Sequence, residues 1–202
     1  VVNGNFDIVS KMLKAKLPTE MPLIEPLHKI FEIEDLEQLR GFTGEWVVSH
    51  HVEGKRLKIT RSGNHIKTTT TDNETYGLSS ESVSSLRKLT KKNYTIDATR
   101  TDDALFINDV MHYDGTDVTD LNTRERVKLL RGQFDSHEDV HVPSPSTLKV
   151  TDEEGLENAV KDLLENNEDS KILLRDAKSS YMKGEEKHPK WVLMTKSDDI
   201  YH

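Results

Sequence analysis

The stretch Trp46–Ile59, WVVSHHVEGKRLKI, decides how this chain is read. Apolar residues run into a short polar cluster, a glycine follows, and the alternating Arg56-Leu57-Lys58-Ile59 closes the stretch. That pattern predicts a β-strand, a tight turn and a second strand. Downstream, Arg61-Ser62-Gly63-Asn64 predicts another turn, and the β-branched run His65–Thr71 another strand. Tyr94–Arg100 and Leu105–Tyr113 read as a strand pair turning at Asp102-Asp103, and Lys171–Ala177 and Trp191–Lys196 as the last strands.

Helical signals lie between these strands. Phe6, Ile8, Val9, Met12 and Leu13 recur at helical spacing in residues 5–16. Pro18, Pro22 and Pro26 then predict an extended connector. Ile33–Arg40 reads as a short helix closed by Gly41. Ser79–Lys92 predicts a helix with Val83, Leu86 and Leu89 inward. Asn122 with Glu125, and Thr151 with Glu154, have the spacing of capping boxes. The first helix is expected to run to about Leu130 and stop near Gly132; the second carries the stripe Leu156, Val160, Leu163, Leu164. His141–Ser146, with two prolines, predicts an edge or a loop. The expectation is an α+β chain of about eight strands and four helices. Residues 1–41 form an N-terminal helix and Pro-rich arm, and 42–202 one domain.

The chain has 202 residues, of which 34% are hydrophobic and 32% charged, which suits one sizeable soluble domain with a modest core. No run approaches a membrane span, no membrane partner is expected, and no signal-peptide pattern is present. Cysteine is absent, which excludes a disulfide framework and a thiolate metal site. A cytoplasmic, intracellular setting is expected. Starting at Val1, the chain reads as a fragment or one domain of a longer protein. The net charge of −8 argues against a dedicated nucleic-acid binder and allows only weak nucleic-acid contact. The best basic cluster, Arg87, Lys88, Lys91 and Lys92, reads either as a local patch or as a solvated helix end where cations suit the dipole.

Ser49-His50-His51-Val52-Glu53-Gly54-Lys55-Arg56 resembles the first motif of the ATP-dependent DNA ligases and their nucleotidyltransferase relatives, E-x-K-x-D-G-x-R, whose Lys takes AMP covalently. Gly54 and Arg56 match; Ser49, His51 and Glu53 stand at the Glu, Lys and Asp positions. Asp109–Leu121 followed by Arg124-Glu125-Arg126 is similar to the ligase stretch FDxxxxDGxDLTDLPxxER, and Arg61–Asn64 resembles the family's RNGN turn. Arg175–Tyr181 and then Lys190-Trp191-Val192 resemble the fourth and fifth motifs, with spacing kept. The resemblance covers residues 46–196. It implies a ligase-type nucleotidyltransferase fold: two packed antiparallel sheets with surrounding helices and a central cleft. Trp46–Val52, Arg56–Ile59, Leu105–Tyr113, Lys171–Ala177 and Trp191–Lys196 would line that cleft. The oligonucleotide-binding domain that follows in the family is not expected, since few residues follow Lys196.

The resemblance also implies which positions would carry the chemistry. His51 stands where the adenylated Lys belongs, and Asn108 where a Phe stacks on adenine. Asp97-Ala98-Thr99 replaces a DGE triplet, so Thr99 stands for its Glu. Ser170-Lys171 and Arg175 replace the Glu-Gly opening and closing Lys of the fourth motif. Leu193 and Thr195 replace the paired lysines of the fifth, with Lys196 shifted by one. Glu53, Gly54, Arg56, Thr99, Asn108, Arg175 and Lys196 would thus be the remnant nucleotide pocket. An imidazole can form a phosphoramidate, but His51 is shorter and stiffer than Lys, and a misplacement of about 1 Å can cost on the order of 100-fold in rate. His50 and His51 are adjacent on a strand and so are expected on opposite faces, and with His65 and His112 they suggest no metal site. Asp109, Asp114, Asp117 and Asp120 read as turn and cap residues.

The reading is a non-catalytic ligase-like domain, without cofactor, that binds or scaffolds within a larger DNA-processing protein. Its partner would be another protein or other domains of a longer chain. The alternative is an active ATP-dependent DNA ligase or related nucleotidyltransferase with an atypical site, using ATP and magnesium.

Overall fold

Strand alternation sends successive side chains to opposite faces, and here both faces of most strands are covered. The computed structural model describes residues 29–33, 35–165, 171–182 and 187–195. The helix expected at 5–16, the proline connector, Ser170 and Lys196 lie outside the described residues. The strands are β1 (Lys29–Ile33), β2 (Gly44–His50), β3 (Lys55–Ser62), β4 (His65–Thr70), β5 (Tyr94–Arg100) and β6 (Leu105–Tyr113). They continue with β7 (Thr116–Asp117), β8 (Val140–His141), β9 (Ser146–Val150), β10 (Lys171–Asp176) and β11 (Lys187–Thr195). The helices are α1 (Ser80–Lys88), α2 (Thr123–Gln133) and α3 (Gly155–Glu165), with a 3-10 turn at Leu36–Leu39.

The strands form two sheets, β1-β11-β10-β2-β9 and β4-β3-β5-β6-β7, with β8 beside the start of β6. Pairing is antiparallel except for β1 with β11 and β8 with β6. Each sheet has its own outer core. Leu57, Ile59, Ile96, Ala98, Ile107 and Val110 of the second sheet bury against Leu86 of α1, Leu89, and Leu130 and Phe134 at the end of α2. Trp46, Val48, Ile172, Leu174, Val192 and Met194 of the first bury against Leu156, Val160 and Leu164 of α3 and against Leu36 and Leu39. Each fully buried aliphatic side chain contributes about 1.5–3 kcal/mol. The inner faces meet through the smaller cluster Met111, Leu173, Tyr181 and Trp191.

A buried ion cluster completes that inner layer. The Asp109 carboxylate on β6 has no exposed surface, and neither has Arg126 on α2. Arg126 donates to both its oxygens, at 2.9 and 3.1 Å, and Arg175 on β10 adds a third bond at 3.1 Å. The remaining Arg126 donors reach the carbonyls of Leu121 and Ser179 and the Thr123 hydroxyl oxygen. One carboxylate thus ties a strand of each sheet to the helix between them.

The motif segments lie on two sheets that face one another, as the resemblance implies. Among the described residues those at β2, β6 and β10 border the cleft, whereas none of Arg56–Ile59 or of β11 is among its lining residues. Local readings fare unevenly. Asn122 closes its capping box in both directions with Glu125. Ile33–Arg40 is not a helix: Ile33 ends a strand, and only a 3-10 turn follows before Gly41, whose φ of +82° breaks the chain direction. The α1 helix stops at Lys88 rather than Lys92, because the carbonyls of Leu89 and Thr90 accept from Asp135 and Arg61. No box forms at Thr151, because α3 starts only at Gly155 after a turn in which Glu153's carbonyl accepts from Gly41. Ser146–Val150 is a strand that the proline-marked loop concealed. Among the described residues there are eleven strands, more than the expected eight, and three α-helices, the helix expected at 5–16 lying outside them. Strand β1 and the 3-10 turn, within the stretch 1–41, are part of the folded body.

Replacing Arg126 by Ala leaves the Asp109 carboxylate buried with half its donors gone. The expected loss is about 3–5 kcal/mol in urea denaturation, the range for breaking a buried pair. Arg40→Ala, at the exposed pair with Glu157, is expected to cost far less. Equal losses would show that Asp109 does not clamp the sheets.

Candidate functional site

The cleft opens where β2 ends and β3 has not yet begun. Its cavity of about 330 Å³ is bordered by His50, His51, Phe106, Asn108, His141 and Arg175, among others. His51 is held by its backbone N–H, which donates to the Lys171 carbonyl at 2.8 Å. Both His50 and His51 border the cavity, because the strand ends at His50 and the alternation ends with it.

The turn that follows is tight for a steric reason. A Cβ at Gly54 would overlap the backbone carbonyl of Arg100 and press on Thr99, so β3 can reach β5 only with glycine there. Glu53, exposed at the rim, forms an ion pair with Lys171. The Lys171 ammonium, by hydrogen bond and charge, holds the Glu53 carboxyl below the usual glutamate range.

Alternation on β3 and β5 directs Leu57, Ile59, Ile96 and Ala98 to the outer core, which leaves Arg56, Asp97 and Thr99 on the cleft face. Asp97 is fully buried. It accepts from Arg56 Nε at 3.0 Å and Nη2 at 2.5 Å, from Asn108 Nδ2 at 3.3 Å and from the Tyr181 hydroxyl at 2.9 Å. Asn108 also donates to Thr99 Oγ1 at 2.9 Å. Burial would lower the Arg56 pKa, but the Asp97 charge overrides it and raises it above the ordinary arginine value. Burial pushes the Tyr181 phenol well up, with Asp97 adding to it, so the hydroxyl stays a donor.

Arg175 lies under the cavity floor, buried. It donates to the Asn108 carbonyl at 3.1 Å as well as to Asp109, and its guanidinium carbon lies 5.0 Å from the Trp191 ring centroid. Burial lowers its pKa, and Asp109 opposes that shift. Across the cavity Phe106 stacks on His141, with centroids 4.9 Å apart.

The structure therefore brings Arg56, Thr99 and Asn108 together around Asp97, and His51, Asn108 and Arg175 around one cavity. Glu53 and Gly54 sit at the rim, and Lys196 lies outside the described residues. Reading Asp109 as a turn or cap residue is corrected: it is a buried strand residue, whereas Asp114 has φ +51° in a turn and Asp117 caps Thr119. The organising roles of Asp97, Asp109 and Tyr181 were not anticipated. The available signal was an Asp within each of two otherwise strand-like runs, and an Arg on the inward stripe of α2. Of the basic cluster, Arg87 donates to the Asn64 carbonyl and Lys92 pairs with Asp114. Among the described residues no grouping of three His, Asp or Glu side chains could hold a metal ion, and no helix is long and apolar enough to cross a membrane.

Burial lowers the His51 pKa; Lys171 and Arg56 lower it further, while Asp97 and Glu53 raise it. The folded value thus lies below the unfolded value of about 6.5. Above that pH the imidazole is neutral in both states and pH-independent. Below it the unfolded chain takes up a proton that the folded chain refuses, so stability falls as pH drops. Between about pH 7.5 and about pH 5.5, His51→Gln is expected to lose less stability than the parent chain. Denaturation at both pH values, with NMR titration of the imidazole, checks this; a folded pKa above about 6.5 contradicts it.

No family model matches the chain, and no curated protein matches it by sequence. Solved structures do resemble it. It is similar to mycobacterial DNA ligase D complexed with ATP and MES, at TM-score 0.59 and 12% identity, over 86% of this chain and 60% of that one. It is similar to the ligase domain of M. tuberculosis LigD, at TM-score 0.57 and 13% identity, over 85% and 59%. It is similar to a putative ATP-dependent DNA ligase from Aquifex aeolicus, at TM-score 0.53 and 14% identity, over 84% and 50%. The chain thus spans 50% to 60% of the length of these proteins. At such identities the likeness is one of fold, and the fold is that of the ligase nucleotidyltransferase domain: α+β, two packed sheets, helices around them and a cleft between.

Proposed function

We propose that this chain is a ligase-fold domain without adenylation chemistry, which binds or scaffolds within a larger DNA-processing protein. The observation that carries the reading is the engagement of the cleft's charged groups with one another. Asp97 receives Arg56, Asn108 and Tyr181, and Asp109 receives Arg126 and Arg175. Carboxylates that hold magnesium must present oxygens to it. Guanidiniums that clamp phosphate must present N–H groups. Here these groups are engaged with each other inside the protein, and of the Arg175 guanidinium only Nε is buried without a hydrogen-bond partner among the described residues.

Neighbouring positions point the same way. His51, with its pKa lowered, is neutral at pH 7 and offers no cation to an α-phosphate. Asn108 cannot stack on a base, and the Phe106 ring already stacks on His141. These residues do not fit ATP with magnesium. Gly54 is required by the approach of Arg100 whether or not a nucleotide binds, so its presence is no mark of activity.

Incubation with radiolabelled ATP and magnesium, followed by a denaturing gel, tests the reading. No AMP adduct is expected, and His51→Lys alone is not expected to restore one. A band in the parent chain that disappears in His51→Ala would establish the alternative, an active ligase or nucleotidyltransferase with an atypical site. Affinity gives a second readout. Two or three lost contacts, each worth about 1–3 kcal/mol, weaken ATP binding by roughly two orders of magnitude or more. Calorimetry is expected to show millimolar binding or none. Micromolar binding abolished by Arg56→Ala would demonstrate a working nucleotide pocket.

A further inference from the structure

A second concavity, of about 530 Å³, lies between α2 and the strands β2 and β9, and none of its lining residues is shared with the cavity beside His51. Its floor is apolar: Val47, Val127 and Pro145. Its wall is basic. Arg124, Lys128 and Arg131 recur at four- and three-residue intervals, so they stand on one side of α2. Arg124 meets Glu45 at 3.0 Å yet keeps 65% of its side chain exposed. Lys128 and Arg131 are exposed and have no ion-pair partner among the described residues. Gly132 also borders the groove, and a Cβ there would meet nothing within 4 Å, so a larger side chain has room at this position.

We propose that this groove docks an acidic peptide segment of a partner protein, anchored by an apolar side chain on the Val47–Val127–Pro145 floor. The proposal rests on the binding-module reading, to which it gives a surface. Charge carries the first half of the argument. The chain as a whole is at −8, yet this face presents three cations at one groove wall. An acidic segment is drawn to that wall against the repulsion of the rest, which selects position as well as partner. The floor carries the second half. An apolar floor under a charged wall is covered well only by a ligand with both characters. A single-stranded nucleic acid would supply phosphates to the cations, but its bases bind by stacking on rings, and among the described residues the groove lining contains no aromatic side chain.

The test is selection of a displayed library of short random peptides on the whole chain, followed by fluorescence anisotropy of the enriched peptides. The expected peptides combine Asp or Glu with one or two large apolar residues, and their affinity falls with added salt. Two variants at exposed positions probe the two halves: Lys128→Glu with Arg131→Glu reverses the wall, and Gly132→Leu fills the groove. Circular dichroism and urea denaturation check that both fold. Each is expected to weaken binding by about tenfold or more. The proposal fails if no acidic–apolar peptide is enriched. It fails if enriched peptides bind both folded variants as tightly as the parent. It also fails if a single-stranded oligonucleotide displaces the peptides and is itself weakened by the same variants, which would make the groove a nucleic-acid site. An ATP adduct in the gel assay would overturn the non-catalytic reading while leaving peptide binding intact. Peptides indifferent to the variants would overturn the groove and leave the cleft reading standing.

Discussion

Asp109 is the constraint on which the rest of the structure depends. A carboxylate without exposed surface is costly unless donors replace its water. It obtains them from α2 through Arg126 and from the opposite sheet through Arg175, while the Val110 N–H donates to Oδ1 at 2.8 Å. Two guanidiniums around one carboxylate leave positive charge to be accommodated, and aromatic faces receive it. Arg175 lies over Trp191, and Arg126 lies 5.8 Å from the Tyr181 ring centroid. Tyr181 in turn donates to Asp97, which joins this cluster to the one built on Arg56. The inner layer of the domain is therefore a connected polar network with a small apolar patch, flanked by two ordinary hydrophobic cores.

The geometry of β6 makes that network reachable from the cleft. Asp97 pairs with Asp109 and Ala98 with Ile107, which leaves Asn108 as an extra residue, a β-bulge. The bulge lets Ile107 and Val110 reach the same outer core although their spacing breaks the two-residue period. It also keeps both Asn108 and Asp109 inward, one toward Asp97 and Thr99, the other toward the arginines. A regular strand would have sent one of them into the hydrophobic core.

The sequence made the fold readable where local chemistry and tertiary demand agree. Leu105–Tyr113 is read with its true bounds although a bulge interrupts its alternation, and Asn122 with Glu125 names its own helix start. Readings failed where a distant partner decides. The end of α1 depends on Arg61 and Asp135, and the delayed start of α3 on Gly41. Strand β9 exists because Gly44–Val48 lies beside it, which no property of Ser146–Val150 announces. In the cleft, motif spacing singles out residues that the structure brings side by side, Arg56, Thr99 and Asn108 among them, but not how they pair. The strand-like run around Asp109 and the Asp114-Gly115 turn separate these two residues by element, but only the assembled sheets decide that Asp109 lies between two arginines.

The parallel pairing of β1 with β11 bears on how the chain acquires this shape. Phe31 lies opposite Val192, so β11 separates β1 from β10 in the sheet. Contacts so distant along the chain carry a high loop-closure cost and form slowly. In the second sheet, by contrast, β3–β4, β5–β6 and β6–β7 are joined through short turns, and only β3 with β5 pairs across an intervening strand and helix. During synthesis the second sheet has all its strands long before the first has its centre. Until β11 emerges from the ribosome, the inner edge of β10 is open, and with it a row of unpaired backbone N–H and C=O groups.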